Sequence, residues 1–190
     1  MGLLQITPPA PDARVVDVAM LRPHCAGVSD ELLDRYQVAA IDYIEGETGA
    51  CILPQTVLVQ LDGFKRVTRS GDILLPVLPV REVSAIEYAD EFGVTQTLDP
   101  RDYVAEVYGL VARVGHLAPF WPKTRAQSDA VRIRARVGWE PQDMPPGILM
   151  AVLMLVACWY RGEQLVGDAD GEVGALVNAL IHPYRVTWST

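Results

Sequence analysis

From Pro146 to Tyr160 the chain reads PGILMAVLMLVACWY, a run without a charged side chain. Ile148, Leu149, Val152, Leu153, Leu155, Val156 and Trp159 recur at helical spacing, and Pro145 and Pro146 supply a preorganised first turn. A helix that is apolar on nearly every side has to be surrounded by other material. Lipid is not that material, because the run falls short of the roughly 20 residues that span a bilayer and Arg161 follows at once. The segment is expected to be a core helix, and the rest of the chain must supply the layers that cover it.

An apolar fraction of 50% over 190 residues is enough to do so within one domain, 1–190. A second helix is expected from Ser29, a plausible N-cap, through about residue 45. Leu32, Leu33, Tyr36, Ala39, Ala40, Tyr43 and Ile44 share its apolar stripe, and Gly46 or Gly49 is available as the stop. A short turn of helix fits between Asp17 and Arg22, ended by Pro23. A last helix fits 172–181, where Val173, Leu176, Val177 and Leu180 share a face before Pro183.

Between these helices the texture changes to β-branched alternation broken by turn residues. Strands are expected at 56–61, 72–75, 83–88, 94–98, 103–107, 110–114 and 130–137. Asp90-Glu91-Phe92-Gly93 has the length and the terminal glycine of a hairpin loop. Pro76, Pro79, Pro119 and Pro122 each remove a backbone donor and favour edges and connections, hence a small sheet and not a large barrel. The fold class read from the pattern is α+β, with helices on either side of a central antiparallel β-rich stretch, 56–138.

Charge narrows the function. The net charge of −8 repels a nucleic-acid backbone. Residues 1–55 hold eight acids and three bases, 56–140 eleven of each, and 141–190 five acids and two bases, so the acidity lies at the two ends. The three cysteines, Cys25, Cys51 and Cys158, form no C-x-x-C pair and read as free thiols of a reducing cytoplasm. The first residues, MGLLQITPP, lack the positive region and long apolar stretch of a secretory signal.

Motifs for chemistry are missing. His24, His116 and His182 are scattered, with no H-E-x-x-H and no zinc spacing. Asp168-Ala-Asp170-Gly171-Glu172 begins like a calcium loop, but Val173 and Ala179 stand where glycine and the bidentate glutamate belong. There is no G-x-S-x-G elbow and no glycine-rich phosphate loop. The pattern implies no catalytic residue, no cofactor and no metal. An enzyme would need an acid pair such as Glu45 with Glu47, which reads more simply as solvated helix-end charge.

One polar feature stands out. Arg132, Arg134 and Arg136 alternate with Val131, Ile133, Ala135 and Val137, so a strand puts three guanidinium groups on one face. The plainest reading is a solvated face paired with local acids. A sharper one is a contact between copies, in which this face meets the acidic N-terminal helix of a neighbour through residues such as Asp34 and Asp42. A DNA-binding stripe is a third, disfavoured by composition. Trp121, in an irregular segment, is either an interface anchor or core packing. The end of the chain, Tyr184, Arg185, Val186, Thr187, Trp188, Ser189 and Thr190, reads as an extended tail that docks on a partner.

The order of several pieces is familiar. Leu4-Gln5-Ile6-Thr7-Pro8-Pro9 and Met20-Leu21-Arg22 precede the helix running from Asp30 to Glu47, then Thr48-Gly49-Ala50 and Leu53-Pro54-Gln55-Thr56. Leu74-Leu75-Pro76, Pro79-Val80, the hairpin 86–98, Asp102-Tyr103, Trp121-Pro122 and Val137-Gly138-Trp139 follow. Met144-Pro145-Pro146 then opens a helix closing on Trp159-Tyr160-Arg161, and a leucine-rich segment leads to Pro183-Tyr184-Arg185. In this order over most of its length the chain resembles the head-to-tail connector, or adaptor, family of long-tailed phages and phage-derived gene transfer agents. It departs from the family at Pro23-His24-Cys25, and at Ala19, where a lysine is usual.

The resemblance implies a non-catalytic virion protein with a mainly helical core (long N-terminal helix, buried apolar helix, short C-terminal helix) and a β-rich insertion, 56–138. It would be made in the bacterial cytoplasm and built into the head-tail interface as a ring of about a dozen copies. That ring would sit between the portal protein and a stopper or tail-terminator protein, and would extend the channel for DNA ejection without reading sequence. The carboxyl-terminal segment 184–190 would engage the portal.

Overall fold

The computed structural model describes residues 2–64, 71–108, 111–118, 120–162 and 171–186. The chain divides into two compact units, each made of two stretches: 1–10 with 54–138, and 11–53 with 139–190.

The first unit is β. Its five-stranded antiparallel sheet has the order β1 (Gly2–Thr7), β2 (Gln55–Leu61), β8 (Val131–Val137), β4 (Val80–Ala89), β5 (Thr95–Thr97). A three-stranded sheet has the order β3 (Ile73–Leu74), β7 (Val111–His116), β6 (Tyr103–Tyr108). Every strand expected from the sequence is present, and the hairpin over Asp90 to Gly93 pairs Ala89 with Thr95. Asp90 holds that loop: its Oδ1 accepts the N–H groups of Phe92 and Val94. Strand β1 is an addition, a long-range partner for β2 with Leu3 opposite Val59.

Period-two alternation decides what the central strand buries. Val131, Ile133, Ala135 and Val137 are buried while Arg134 and Arg136 are exposed and Arg132 is half-buried. Strand β4 matches this pattern only because two bulges absorb extra residues, between Val80 and Glu82 and between Val83 and Ala85. Ile86 thereby faces the same side as Ile133, and both are fully buried.

The second unit is helical: α1 (Val18–Leu21), α2 (Asp30–Thr48), α3 (Pro146–Tyr160) and α4 (Glu172–Ile181), with 3-10 turns at Pro141–Asp143 and His182–Tyr184. Ser29 caps α2 by accepting the Leu32 N–H, and the helix stops at Gly49, whose φ of 68° suits glycine best. Gly46 lies inside the helix. Helix α3 packs on α2 and α4, burying Ile148, Ala151, Val152, Leu155, Val156 and Cys158. At its start Gly147 leaves room for the Leu180 carbonyl, 3.0 Å from where a Cβ would sit.

Two expectations need correction. The core is not mainly helical: the strands hold about as many residues as the α-helices, and the β unit has a buried interior of its own, including Val59, Ile73, Ile86, Val114 and Ile133. Helix α3 is not enclosed on all sides either, since Met150 and Tyr160 are exposed and Leu153 and Met154 half-buried. Among the described residues no helix is long and apolar enough to cross a membrane.

The segment leading into α1 is tied down by one side chain. Gln37, fully buried on α2, accepts the N–H groups of Val15 and Val16 through Oε1 and donates Nε2 to the Val16 carbonyl. The three cysteines are free thiols. Burial pushes Cys51 up to about 12 and raises Cys25 as well, so both are protonated and poorly reactive near neutrality.

Candidate assembly surfaces

The acids of α2 are almost all spent within the helical unit. Asp30 pairs with Arg22, Glu31 with Arg35 one turn on, and Glu47 with Arg185. Glu45 accepts the Ile52 N–H at 2.6 Å. Burial holds the Glu45 carboxyl above its ordinary range despite that bond. An enzymatic reading would want a displaced carboxyl in a cleft; this one caps the turn after a helix.

Asp34 is clasped by Arg14, whose Nε and Nη2 meet its two carboxylate oxygens. The guanidinium holds the Asp34 carboxyl below the usual carboxylate range, more than offsetting its partial burial. A carboxyl depressed in the folded state contributes stability above its unfolded value, near 4, and loses it as pH falls through the folded value. The wild-type melting temperature is therefore expected to fall more steeply below about pH 4 than that of Arg14→Ala. Parallel profiles for the two proteins would show that the pair contributes nothing. Asp42, two turns further along α2, is exposed and forms no hydrogen bond or ion pair among the described residues.

The arginine face of β8 exists as the alternation requires, and local acids occupy much of it. Arg132 donates to Asp129 at 2.5 Å, Arg136 lies 3.9 Å from Glu82, and Glu87 stands opposite Arg132 in the ladder. Among the described residues Arg134 is left over. Its ladder neighbours are Leu58 on β2 and Ala85 on β4, and the Ser84 hydroxyl bonds its carbonyl, not its guanidinium. A stripe with two of three charges compensated is a poor phosphate track.

Trp121 is packed within the β unit. Its ring stacks on Phe64 with centroids 4.5 Å apart, His116 is 5.0 Å away, and its Nε1 donates to the Gly71 carbonyl at 2.9 Å. The same residues line an open cleft of about 600 Å³. His116 accepts the Ala118 N–H on Nδ1, a turn-closing job.

The C-terminal residues divide. Tyr184 ends a 3-10 turn with its ring edge-on to Trp139 at 5.7 Å. Arg185 reaches Glu47 and Asn178, and the Val186 N–H bonds the Thr48 carbonyl at 2.7 Å. Arg185 and Val186 are fastened to the end of α2 and Tyr184 packs on Trp139, so these three residues are not a loose tail. Thr187, Trp188, Ser189 and Thr190 lie outside the described residues, as do Asp168 and Asp170 of the acidic link. No group of side chains suited to a metal ion occurs among the described residues.

No known family model matches the chain, and no curated protein does. Solved structures do. A chain in the neck of an empty gene transfer agent particle, computed with C6 symmetry, superposes with a TM-score of 0.76 at 25% identity, covering 100% of this chain and 98% of that one. A chain of the native gene transfer agent virion gives 0.76 at 24% identity with the same coverage. One from the native neck computed with C12 symmetry gives 0.70 at 24%, again with 100% and 98% covered. From end to end, then, the chain is similar to a protein of the gene transfer agent neck, and its resemblance to the head-to-tail connectors of phages and gene transfer agents holds in fold as in the order of its sequence.

Proposed function

We propose that the chain is a structural neck protein of a phage or gene transfer agent particle. In this reading it is an adaptor whose copies form a ring beneath the portal, extend the DNA channel and join the capsid to a stopper or tail-terminator protein. The observation that carries the reading is the full-length similarity to a chain of the gene transfer agent neck. Necks computed with C6 and C12 symmetry suit a closed ring of about a dozen identical copies. A net charge of −8 suits a conduit too, since an acidic lumen discourages DNA from adhering in passage. It is an assembly role with no covalent chemistry, filled after synthesis in the bacterial cytoplasm.

In the same reading the last residues are the portal-binding end. Because Tyr184 is already packed on Trp139 and Arg185 and Val186 are bonded to the end of α2, the informative truncation begins after Val186. Deleting 187–190 leaves the fastenings of Arg185 and Val186 in place and is expected to keep the melting temperature within about 2 °C of wild type. Co-sedimentation with assembled portal should be lost. Undiminished portal binding by the shortened chain would overturn this role for the tail.

A further inference from the structure

Among the described residues, internal pairing leaves one unpaired charge on each of two surfaces, and the two are opposite in sign. On β8, Arg132 and Arg136 have acids, while exposed Arg134 has none among the described residues. On α2, five acids are paired or spent on a backbone N–H, while exposed Asp42 is not.

The surroundings match as well. Arg134 stands between Leu58 and Ala85, both half-buried, and two residues from arginines on either side. Asp42 stands one turn from Val38, which is 49% exposed, and three residues from the Glu45 carboxyl. Each charge thus sits beside apolar side chains and near charge of its own sign. An incoming opposite charge relieves that repulsion, and the apolar neighbours exclude water around the pair.

The surfaces are different ones on the same chain. That is what a ring requires: rotational symmetry of order higher than two is built from heterologous contacts, one face of each copy against another face of the next. We infer that the occupant of the β8 face is the α2 helix of an adjacent copy, with Arg134 meeting Asp42 across the interface. This rests on the neck-ring reading above and adds to it the pair of residues that sets the register between copies. It also discards Asp34, which Arg14 already holds.

The test is a charge swap in assembled particles. Full-length wild type, Arg134→Glu, Asp42→Arg and the double variant are supplied to particle-producing cells lacking the native copy, and the protein is quantified per purified particle. Thermal melts of the four free chains check that folding is intact, as expected for exposed residues without internal bonds. Each single variant should be depleted about tenfold or more, and the double variant restored to within about threefold of wild type. A single variant incorporated at the wild-type level overturns the pairing while leaving the neck role standing. So does depletion of both singles without restoration in the double. Absence of the wild-type chain from particles would instead overturn the neck reading itself.

Discussion

Replacing Gln37 with alanine is expected to destabilise the chain by about 4 kcal/mol, more than most single changes. One side chain satisfies three buried backbone groups: the N–H groups of Val15 and Val16 and the carbonyl of Val16. Alanine leaves all three without a partner beside a position that is 0% exposed. Each stranded group costs roughly 1–3 kcal/mol, and the lost packing adds to that. Equilibrium unfolding in urea measures the total. Amide exchange locates it: the protons of Val15 and Val16 should exchange far faster than those in the middle of α2. A loss below about 1 kcal/mol, with those amides still protected, would mean that the segment before α1 finds other partners.

Leu155→Ala should cost a similar amount, about 3–5 kcal/mol, because the residue is 1% exposed within α3 and its removal leaves a cavity that the neighbouring helices fill only in part. Met150 on the same helix is 46% exposed, and Met150→Ala should cost less than about 1 kcal/mol in the free chain. Equal losses for the two would contradict the sidedness of the helix. This contrast was not legible in the sequence, where both positions belong to one uniform apolar run.

What could be read in advance depended on how local the cause was. Helices α2, α3 and α4 announce themselves through caps, glycine and proline at fixed offsets, all within a few residues. The strands from β2 to β8 show through alternation, but β4 could be read only from residue 83, because its bulges at Arg81 and Ser84 break the period of two. Strand β1 escaped because its partner lies some fifty residues away. The weight given to the helices came with the family resemblance; in the pattern itself a helix such as α3 is apolar throughout, whereas a strand buries every second residue and looks half as hydrophobic.

The assembly surfaces followed the same rule. Alternation placed the three arginines on one face, and Asp129, three residues before Arg132, was within reach of sequence reasoning. Glu82 opposite Arg136, Arg14 opposite Asp34 and Thr48 opposite Val186 are meetings that only the fold arranges. Those partners decide which charges the fold leaves unpaired among the described residues.

The interleaving of the two units governs how the protein emerges from the ribosome. The β unit opens the chain and can close once Gly138 is out, whereas the first half of the helical unit, 11–53, is made early and waits for 139–190. During that interval α2, whose buried residues include Leu33, Ile41 and Ile44, lacks the α3 helix that packs on it in the finished unit. A nascent chain at this stage shows a finished β body beside an apolar stripe with no cover, the kind of surface that chaperones bind. The price of inserting one unit into the other is therefore a delay, and it falls on α2.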